Sequence, residues 1–337
     1  MSPRKPSVTA QDVARLAGVS RAVVSRALSS NGSISPDARA RVLRAAEELG
    51  YQVNFLAQGL NRQRSHLIGV IVSRISDPFR SALLDALLNE IQRQGFQALV
   101  SEIHSEQDLA HTLRRFTQFR VSGVIVTSGQ PPEALVNECV QQHIPVVGIN
   151  RQPTIPGVDY VCSDNVAGAE LAADQLLRSG CRRFGWLNHS PSTWAGRMRG
   201  EAFSRALQAR GVDVERNLAI LACPEEGYTG GVQAAALADE ALEGIFCANA
   251  QIACGFLDGM RQRGKQAPED YQLIGFDNTP PTAQYSYQLT TLHQDVAAIS
   301  RQALARLQER TVDPLQPSRT TWVEVTLIHR RTSPFVI

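Results

Sequence analysis

Residues 8–60 read VTAQDVARLAGVSRAVVSRALSSNGSISPDARARVLRAAEELGYQVNFLAQGL, a pattern that predicts three short helices followed by a fourth segment. Thr9 lies at the N-cap position of the first helix, and Asp12 follows three residues later as its partner in a capping box. The apolar stripe of this helix ends at Gly18, and glycine is favoured just past a helix C-terminus. Ser20 can then cap a second helix. Two helices joined by so short a turn indicate a helix-turn-helix.

The second predicted helix, residues 21–28, has an apolar face and a polar face. Its outward face carries Arg21, Ala22, Ser25 and Arg26. An arginine can donate two hydrogen bonds to guanine, a small residue lets the helix approach base edges, and a serine hydroxyl can reach a phosphate. An ordinary solvated helix would show the same face, so the residues of this segment alone leave both interpretations open.

A third helix and a short hinge segment follow. Ser35 and Pro36 form the start signal of the third helix, as N-cap and first helical residue. Asn54 can cap a short segment that contains Gly59 and ends at Leu60. Because so short a segment with a glycine makes a poor helix alone, we expect it to fold on DNA, with Leu60 inserted between base steps of the minor groove. A plain linker is the alternative.

The chain resembles the LacI/GalR (lactose-repressor) family of bacterial transcription regulators. The resemblance is carried by VTAQDVARLAGVS at 8–20, VSR at 24–26, AAEELGY at 45–51, and Asn54, Ala57 and Leu60. It implies that the second helix reads an operator half-site and that Leu60 is the hinge leucine at the operator centre. Two departures are Val23, where the family usually has Thr, and Gly59, which weakens the hinge helix. The residues expected to contact DNA are Thr9, Ser20, Arg21, Ala22, Ser25, Arg26, Asn54, Ala57 and Leu60.

Charge is distributed unevenly along the 337 residues. The whole chain has a net charge of +2, yet residues 1–66 carry ten basic and four acidic side chains. A cationic head on an anionic body is typical of nucleic-acid binding confined to one end. The N-terminus has no secretory apolar region, and no apolar run approaches the roughly 20 residues that span a bilayer. We therefore expect a cytoplasmic protein, whose six scattered cysteines are free and buried.

Apolar runs alternate with helical patterns in the remainder of the chain, which predicts parallel sheets covered by helices on both faces. Two similar sets follow one another, so the fold class is α/β, with two lobes of doubly wound parallel sheet. The resemblance implies a core like that of periplasmic binding proteins, with a tail that crosses between lobes.

In the tail we predict a helix over about Asp295–Arg310 and one strand over Thr320–Ile328. The expected domains are a helix-turn-helix head at 1–53, a hinge helix and linker at 54–66, and an effector-binding core at 67–337, with an N-lobe at about 67–180 and 292–318 and a C-lobe at about 181–291 and 319–337.

Polar residues at the predicted strand ends mark a ligand cleft, because open α/β sheets bind ligands beyond the carboxyl ends of their strands. Carboxylates, amides and an arginine near aromatic residues suit a polyhydroxylated ligand, whose hydroxyls both donate and accept hydrogen bonds. Each residue also has a structural explanation, such as a helix N-cap for Asp164 or a turn for Asp277. The strand ends supply Asp77, Phe79, Ser128, Asn150, Arg151, Asp164, Asn188, Asn249, Asp277 and Asn278.

The resemblance adds roles within this cleft. The segment TWAGRMRG at 193–200 is similar to the family's Arg-x-x-Gly motif, which makes Arg197 the effector-binding arginine, and the segments FCAN and GFDN add three further residues. Arg80 replaces a second aromatic residue of the family, and Ala250 replaces an Asp. This gain of positive charge and loss of negative charge favour an acidic ligand, such as a sugar acid or sugar phosphate. The expected effector-binding residues are Phe79, Ser128, Arg151, Asp164, Arg197, Phe246, Asn249 and Asp277.

We therefore expect a ligand-responsive repressor of metabolic genes that binds a pseudo-palindromic operator as a homodimer. Its effector is expected to be a sugar or a sugar derivative. The alternatives are a sugar-binding protein of the transport type and an α/β enzyme, each with an appended DNA-binding head. The sequence contains no Walker loop, G-x-G-x-x-G, G-x-S-x-G or H-E-x-x-H motif and no metal-ligand spacing, so we expect neither an enzyme nor a bound cofactor or metal.

Overall fold

The computed structural model describes residues 8–28, 34–51, 65–127 and 133–335. The chain divides into one compact unit at Met1–Ser65 and a second at His66–Ile337. The first unit contains α1 at Ala10–Ala17, α2 at Arg21–Ala27 and α3 at Pro36–Glu48. These are the three predicted helices, and the turn between α1 and α2 is that of a helix-turn-helix.

Local capping explains why the head helices begin and end where they do. The predicted capping box is confirmed, since Thr9 and Asp12 each accept the backbone N–H of the other. Gly18 has a left-handed φ of 63°, and the Ser20 hydroxyl accepts the Val23 amide at the start of α2. The three helices share a small buried core that contains Val13, Ala14, Ala17, Val24, Ala27, Val42, Ala45 and Ala46.

Two six-stranded sheets make up the second unit within the described residues. The strands are β1 Leu67–Val72, β2 Gln97–Glu102, β3 Gly123–Val126, β4 Val146–Ile149, β5 Val158–Ser163, β6 Phe184–His189, β7 Leu218–Cys223, β8 Gly244–Cys247, β9 Gln272–Asp277, β10 Thr290–Gln294, β11 Thr320–Val323 and β12 Val325–Ile328. The first sheet has the order β11-β5-β4-β3-β1-β2 and is wholly parallel. The second has the order β12-β10-β9-β8-β6-β7, with only β12 antiparallel.

Helices cover these sheets, as the alternating pattern predicted. They are α4 Pro78–Arg93, α5 Glu106–Gln118, α6 Glu133–Gln141, α7 Asn165–Arg178, α8 Trp194–Ala209, α9 Val214–Asn217, α10 Gly227–Leu237, α11 Ala250–Gln262 and α12 Val296–Val312, with a 3-10 turn at Pro280–Ala283. The central strands β3 and β4 are buried at every position, which is typical of a parallel sheet packed on both faces. None of the described helices is long and apolar enough to cross a membrane.

The tail departs from the sequence prediction. The single strand predicted over Thr320–Ile328 is two strands, because β11 pairs with β5 in the first sheet and β12 pairs with β10 in the second. The chain passes from one sheet to the other at Glu324. Glu324 is the one residue of this run that does not favour a strand, and a single polar residue is also common within one continuous strand, so only the pairing partners reveal the crossing.

The boundaries of the two lobes also differ from those expected. The helix α7 packs against Phe184 and Phe203 in the second lobe, although it was expected in the first. Strand β10 belongs wholly to the second sheet, although the boundary expected at about residue 292 divides it, and β11 belongs to the first sheet, although it was expected in the C-lobe. In the described residues the chain therefore passes between sheets three times, after β5, β10 and β11.

Candidate DNA-binding surface and ligand cleft

The outer face of α2 presents the predicted DNA-reading residues to solvent. Arg21, Ala22, Ser25 and Arg26 are exposed. On the opposite side of the helix, Val24 and Ala27 are buried in the core of the head. The arrangement places two guanidinium groups and a hydroxyl beside a small residue on one helical face, which suits contact with base edges and phosphates in a major groove.

Two other predicted DNA-contacting residues have a structural role in the head. The Thr9 hydroxyl lies within 2.7 Å of Asp12, and the Ser20 hydroxyl accepts a backbone N–H at 3.4 Å. Both side chains are exposed at helix N-termini, where backbone N–H groups also favour phosphate oxygens. Their contact with DNA remains a prediction. The predicted hinge residues Asn54, Ala57 and Leu60 lie outside the described residues.

A cleft of about 450 Å³ lies between the two lobes of the core. It is lined at the carboxyl ends of the strands, where the sequence argument placed it. Of the residues predicted to bind the effector, the lining includes Phe79, Arg151, Asn249 and Asp277. Of the other strand-end candidates it includes Asp77, Asn150 and Asn188.

Four predicted effector residues are not placed in this lining. Arg197 is exposed and donates to the Ser192 carbonyl at 2.9 Å. Asp164 caps α7 by accepting the Ala167 amide at 3.0 Å. Phe246 is fully buried, and its ring packs against those of Trp186, Phe203 and Phe276. Ser128 lies outside the described residues.

Arg197 was predicted from sequence as the effector-binding arginine, but the arginine of α8 that lines the cleft is Arg199. Gly196, Arg199 and Phe203 are buried on one face of α8 at helical spacing, whereas Arg197 lies on the exposed face. Three- and four-residue spacing from the buried Phe203 was the signal in the sequence that would have distinguished the two arginines.

Arg199 is held by the second lobe through several contacts. Its Nε donates to Asn165 Oδ1 at 2.7 Å and its Nη1 donates to the Ala248 carbonyl at 2.6 Å. The guanidinium lies 3.5 Å from the ring centroid of Phe276 and 3.9 Å from a carboxylate oxygen of Asp277. Burial lowers the pKa of Arg199 to about 10, against the opposing effect of Asp277. The charge of Arg199 is thus compensated within the protein.

The side chain of Asp277 is nearly buried, with 9% of its surface exposed to solvent. Burial raises its pKa to about 6, although Arg199 and a hydrogen bond from Gln294 favour the charged form. Its backbone has a φ of 90°, and Asn150, at the end of β4, has a φ of 51°. Such left-handed conformations in residues other than glycine cluster at functional sites.

Gln294 joins the two lobes at this point, and sequence reasoning did not select it. Its Nε2 donates to Asp277 Oδ1 at 2.6 Å in the second lobe. Its Oε1 accepts from Ser163 Oγ at 2.5 Å and from Asn150 Nδ2 at 3.2 Å in the first. Because Gln294 is 1% exposed, its amide is a buried connection between the strand ends of both sheets. Strand β10 has the sequence TTLHQ, in which Gln294 is one of several polar residues, so the sequence pattern gave no signal that singled it out.

The wall formed by the first lobe carries three arginines. Arg74, Arg80 and Arg151 all line the cleft. Arg80 donates to Ser73 through Nη1, and Arg151 donates to the Thr127 carbonyl through Nη2 at 2.5 Å. Burial, together with the charges of Arg80 and Arg74, lowers the pKa of Arg151 to about 10. Because Asp77 is the acidic residue that this wall contributes to the cleft beside the three arginines, the wall carries a net positive charge.

Together these observations define the class of the protein. A helix-turn-helix head presents an arginine-bearing face, and a two-lobed core encloses a polar cleft of a size typical for small ligands. Among the described residues, no group of His, Cys, Asp and Glu side chains could hold a metal ion. This combination is that of a DNA-binding regulator with a ligand-binding core.

Comparison with known proteins gives the family. Residues 9–54 match the model of bacterial regulatory proteins of the lacI family, and residues 173–333 match a periplasmic binding protein-like domain. The HTH-type transcriptional regulator GalS of Salmonella typhimurium is 32% identical over 96% of each chain. The regulator GalR of Escherichia coli is 31% identical over 96% of this chain and 94% of its own. The chain belongs to the LacI family and is a transcription regulator.

Solved structures agree in fold. The lac repressor dimer bound to operator and the anti-inducer ONPF has a TM-score of 0.85 at 23% identity, covering 98% of this chain and 100% of that chain. A LacI family transcriptional regulator from Enterococcus faecium with bound ribose has a TM-score of 0.72 at 26% identity, covering 80% of this chain and 100% of its own. The first of these likenesses includes nearly the whole chain, head and core.

Proposed function

We propose that the protein is a repressor that binds a pseudo-palindromic operator as a homodimer in the cytoplasm and responds to a sugar or sugar derivative in the cleft. The observation that carries this proposal is the presence, in one chain, of a helix-turn-helix with an exposed arginine face and a cleft lined by both lobes. The lac repressor structure, a dimer on operator DNA, and the ribose complex of the Enterococcus faecium regulator support it by analogy.

Operator reading is assigned to α2. Arg21 and Arg26 can each donate two hydrogen bonds to a guanine, Ala22 allows close approach, and Ser25 can reach a phosphate. Two-fold symmetry in a dimer would present two such helices to two half-sites, so the operator would be pseudo-palindromic. Leu60 keeps its proposed role as a wedge at the operator centre.

Control of DNA binding by the ligand is assigned to the residues of both lobes that meet at the cleft. Arg199 and Asp277 in the second lobe and Asn150 and Arg151 in the first line one cleft, and Gln294 bridges the lobes. A ligand that contacts both walls would favour one relative orientation of the lobes, because its affinity differs between orientations. That change of population is proposed to alter operator affinity through the hinge segment.

The test uses the full chain. Duplexes selected from a randomised pool should share a pseudo-palindrome, and binding to the selected DNA is then measured by fluorescence anisotropy. Arg21→Ala should weaken this binding about tenfold or more, the loss expected for one base-reading arginine. The control is Arg216→Ala, at an exposed arginine in α9 of the core, which should bind as the wild type does. Equal affinity of the wild type, Arg21→Ala and Arg216→Ala for the selected DNA would show that Arg21 of α2 does not read the operator.

A further inference from the structure

We infer that the first-lobe wall of the cleft binds an anionic group of the ligand, so that the effector is a sugar acid or a sugar phosphate and not a neutral sugar. The inference rests on the proposed function, because it assumes that the effector occupies this cleft. Two observations carry it: three arginines lie along one wall, and one of them, Arg151, has no carboxylate partner within the described residues.

Arg151 has an incomplete set of partners. Its Nη2 donates to the Thr127 carbonyl, whereas its Nε is buried and has no partner among the described residues. The charged side chains that act on it most strongly are Arg80 and Arg74, both of the same sign. The segments outside the described residues contain no Asp or Glu, so they supply no carboxylate side chain either. A buried donor of this kind requires an acceptor.

The acidic residues nearest this wall are already engaged. Asp77 acts as the N-cap of α4, where its Oδ1 accepts the amides of Phe79 and Arg80 at 3.0 Å each. Glu226, from the second lobe, forms an ion pair with Arg74 across the cleft and lies 3.2 Å from His189 Nε2. Among the described residues, Arg151 therefore faces the cleft without a carboxylate partner, whereas the charges of Asp77 and Asp277 act on Arg80.

Arginine is suited to this task by its geometry. A guanidinium presents several N–H donors in one plane, and these match the oxygens of a carboxylate or a phosphate. Burial lowers the pKa values of Arg80 and Arg151, and like charge lowers them as well, from Arg74 in the case of Arg80 and from Arg80 and Arg74 in the case of Arg151. An anion between them would relieve that repulsion and accept the free N–H groups. Neutral hydroxyls would leave the charge uncompensated.

The second-lobe wall suits the remainder of such a ligand. Asn188, Thr193 and Asn249 line it together with Asp277. Amide and hydroxyl groups both donate and accept hydrogen bonds, as sugar hydroxyls do. The cleft thus separates two chemistries, with an anion-binding wall in the first lobe and a hydroxyl-binding wall in the second. A polyhydroxylated acid or a phosphorylated sugar satisfies both.

The experiment is a binding titration of the full-length protein at constant ionic strength, followed by calorimetry and by tryptophan fluorescence. Trp194 and Trp322 lie 6.5 Å apart between ring centroids, and Trp194 at the start of α8 packs against the first-lobe core, so their emission should report on the lobes. The probes are inorganic phosphate and acetate, which are too small to be excluded by shape, together with gluconate, glucose 6-phosphate, glucose and ribose. The variant is Arg151→Met, and the matched control is Arg114→Met, an exposed arginine of α5 in the same lobe.

We expect saturable binding of inorganic phosphate or acetate, and tighter binding of gluconate or glucose 6-phosphate, with Arg151→Met weakening each by about ten- to a hundredfold. Arg114→Met should leave it unchanged. Whichever of gluconate and glucose 6-phosphate binds more tightly identifies the anionic group as a carboxylate or a phosphate. Binding of anions that is equal in wild type and Arg151→Met, or no binding of any anion, would overturn the inference.

A separate outcome distinguishes this inference from the proposed function. If glucose or ribose binds saturably and changes the affinity for selected DNA while no anion binds, the cleft is an effector site but its first wall does not select anions. If anions bind through Arg151 but never change DNA affinity, the wall binds anions as inferred, and the proposed control of DNA binding by the cleft fails instead.

Discussion

Arg199 and Arg151 are arginines of the same cleft, one in the wall of each lobe, and they differ in what surrounds them. Arg199 is buried against a carboxylate, an amide oxygen, a backbone carbonyl and an aromatic ring. Arg151 has one backbone carbonyl and the repulsion of two other arginines. The charge of Arg199 in the second-lobe wall is thus compensated by protein groups without a ligand, whereas the charge of Arg151 in the first-lobe wall is not. A structural role and a binding role are separated between the two lobes.

The largest effect that tests this comparison is the loss of Arg199. Arg199→Met should lower the free energy of unfolding by about 3–5 kcal/mol, because Asp277 is left buried without its cationic partner. Urea denaturation of the full chain measures the change. Arg197→Met, two positions away on the exposed face of α8, should change stability by about 0.5 kcal/mol at most. Equal losses in the two variants would show that Arg199 does not stabilise the second wall.

A smaller effect concerns the pH dependence that Asp277 contributes. Its pKa is raised from 3.8 to about 6 in the folded protein. The folded state therefore retains a proton that the unfolded state releases between these values, so this contribution to stability falls as pH rises from about 4 to about 6 and is level above that. The fall is about 3 kcal/mol at most.

Asp277→Asn isolates that contribution. The difference in free energy of unfolding between wild type and variant, measured by urea denaturation from pH 4 to pH 8, should shift in favour of the variant as pH rises. All other titrating groups are common to both proteins and cancel in the difference. A difference that is constant with pH would mean that the carboxylate of Asp277 titrates at the same pH in the folded and unfolded states.

The smallest effect on stability is expected in the first wall. Arg151→Met removes a cation that lacks a carboxylate partner, so the loss of its bond to Thr127 is offset by the relief of repulsion from Arg80 and Arg74. The free energy of unfolding, in a buffer without phosphate or carboxylates, should stay within about 1 kcal/mol of the wild type. A loss as large as that of Arg199→Met would mean that both walls are structural, and the comparison would fail.

Much of the head could be predicted from sequence because its determinants are local. The capping of α1 by Thr9 and Asp12 and the left-handed Gly18 act within a few residues of one another, and the structure has them as predicted. The polar face of α2 follows directly from helical periodicity, and its residues are exposed as predicted. Here a short stretch of chain determines its own conformation.

The cleft could be predicted only in part, because its residues are brought together by sheet pairing. Strand ends correctly indicated Asn150, Arg151 and Asp277 as lining residues. Which of Arg197 and Arg199 lines the cleft depends on which face of α8 is buried. The motif spacing predicted Arg197, but Arg199 lines the cleft. The position of Gln294 beside Asp277 follows from the pairing of β10 with β9 in the second sheet, which the sequence alone does not give. Long-range register is not encoded in any one segment.

The most direct test of the account is whether the cleft controls DNA binding. Binding of the full chain to its selected DNA is measured by anisotropy with and without saturating concentrations of the tightest-binding probe from the titration, for wild type and Arg151→Met. We predict that the probe changes the wild-type affinity at least about fivefold, the lower range of allosteric coupling. In Arg151→Met, the same probe concentration should have little effect, and the affinity without probe should equal that of the wild type. Identical isotherms with and without probe in the wild-type protein would contradict the account.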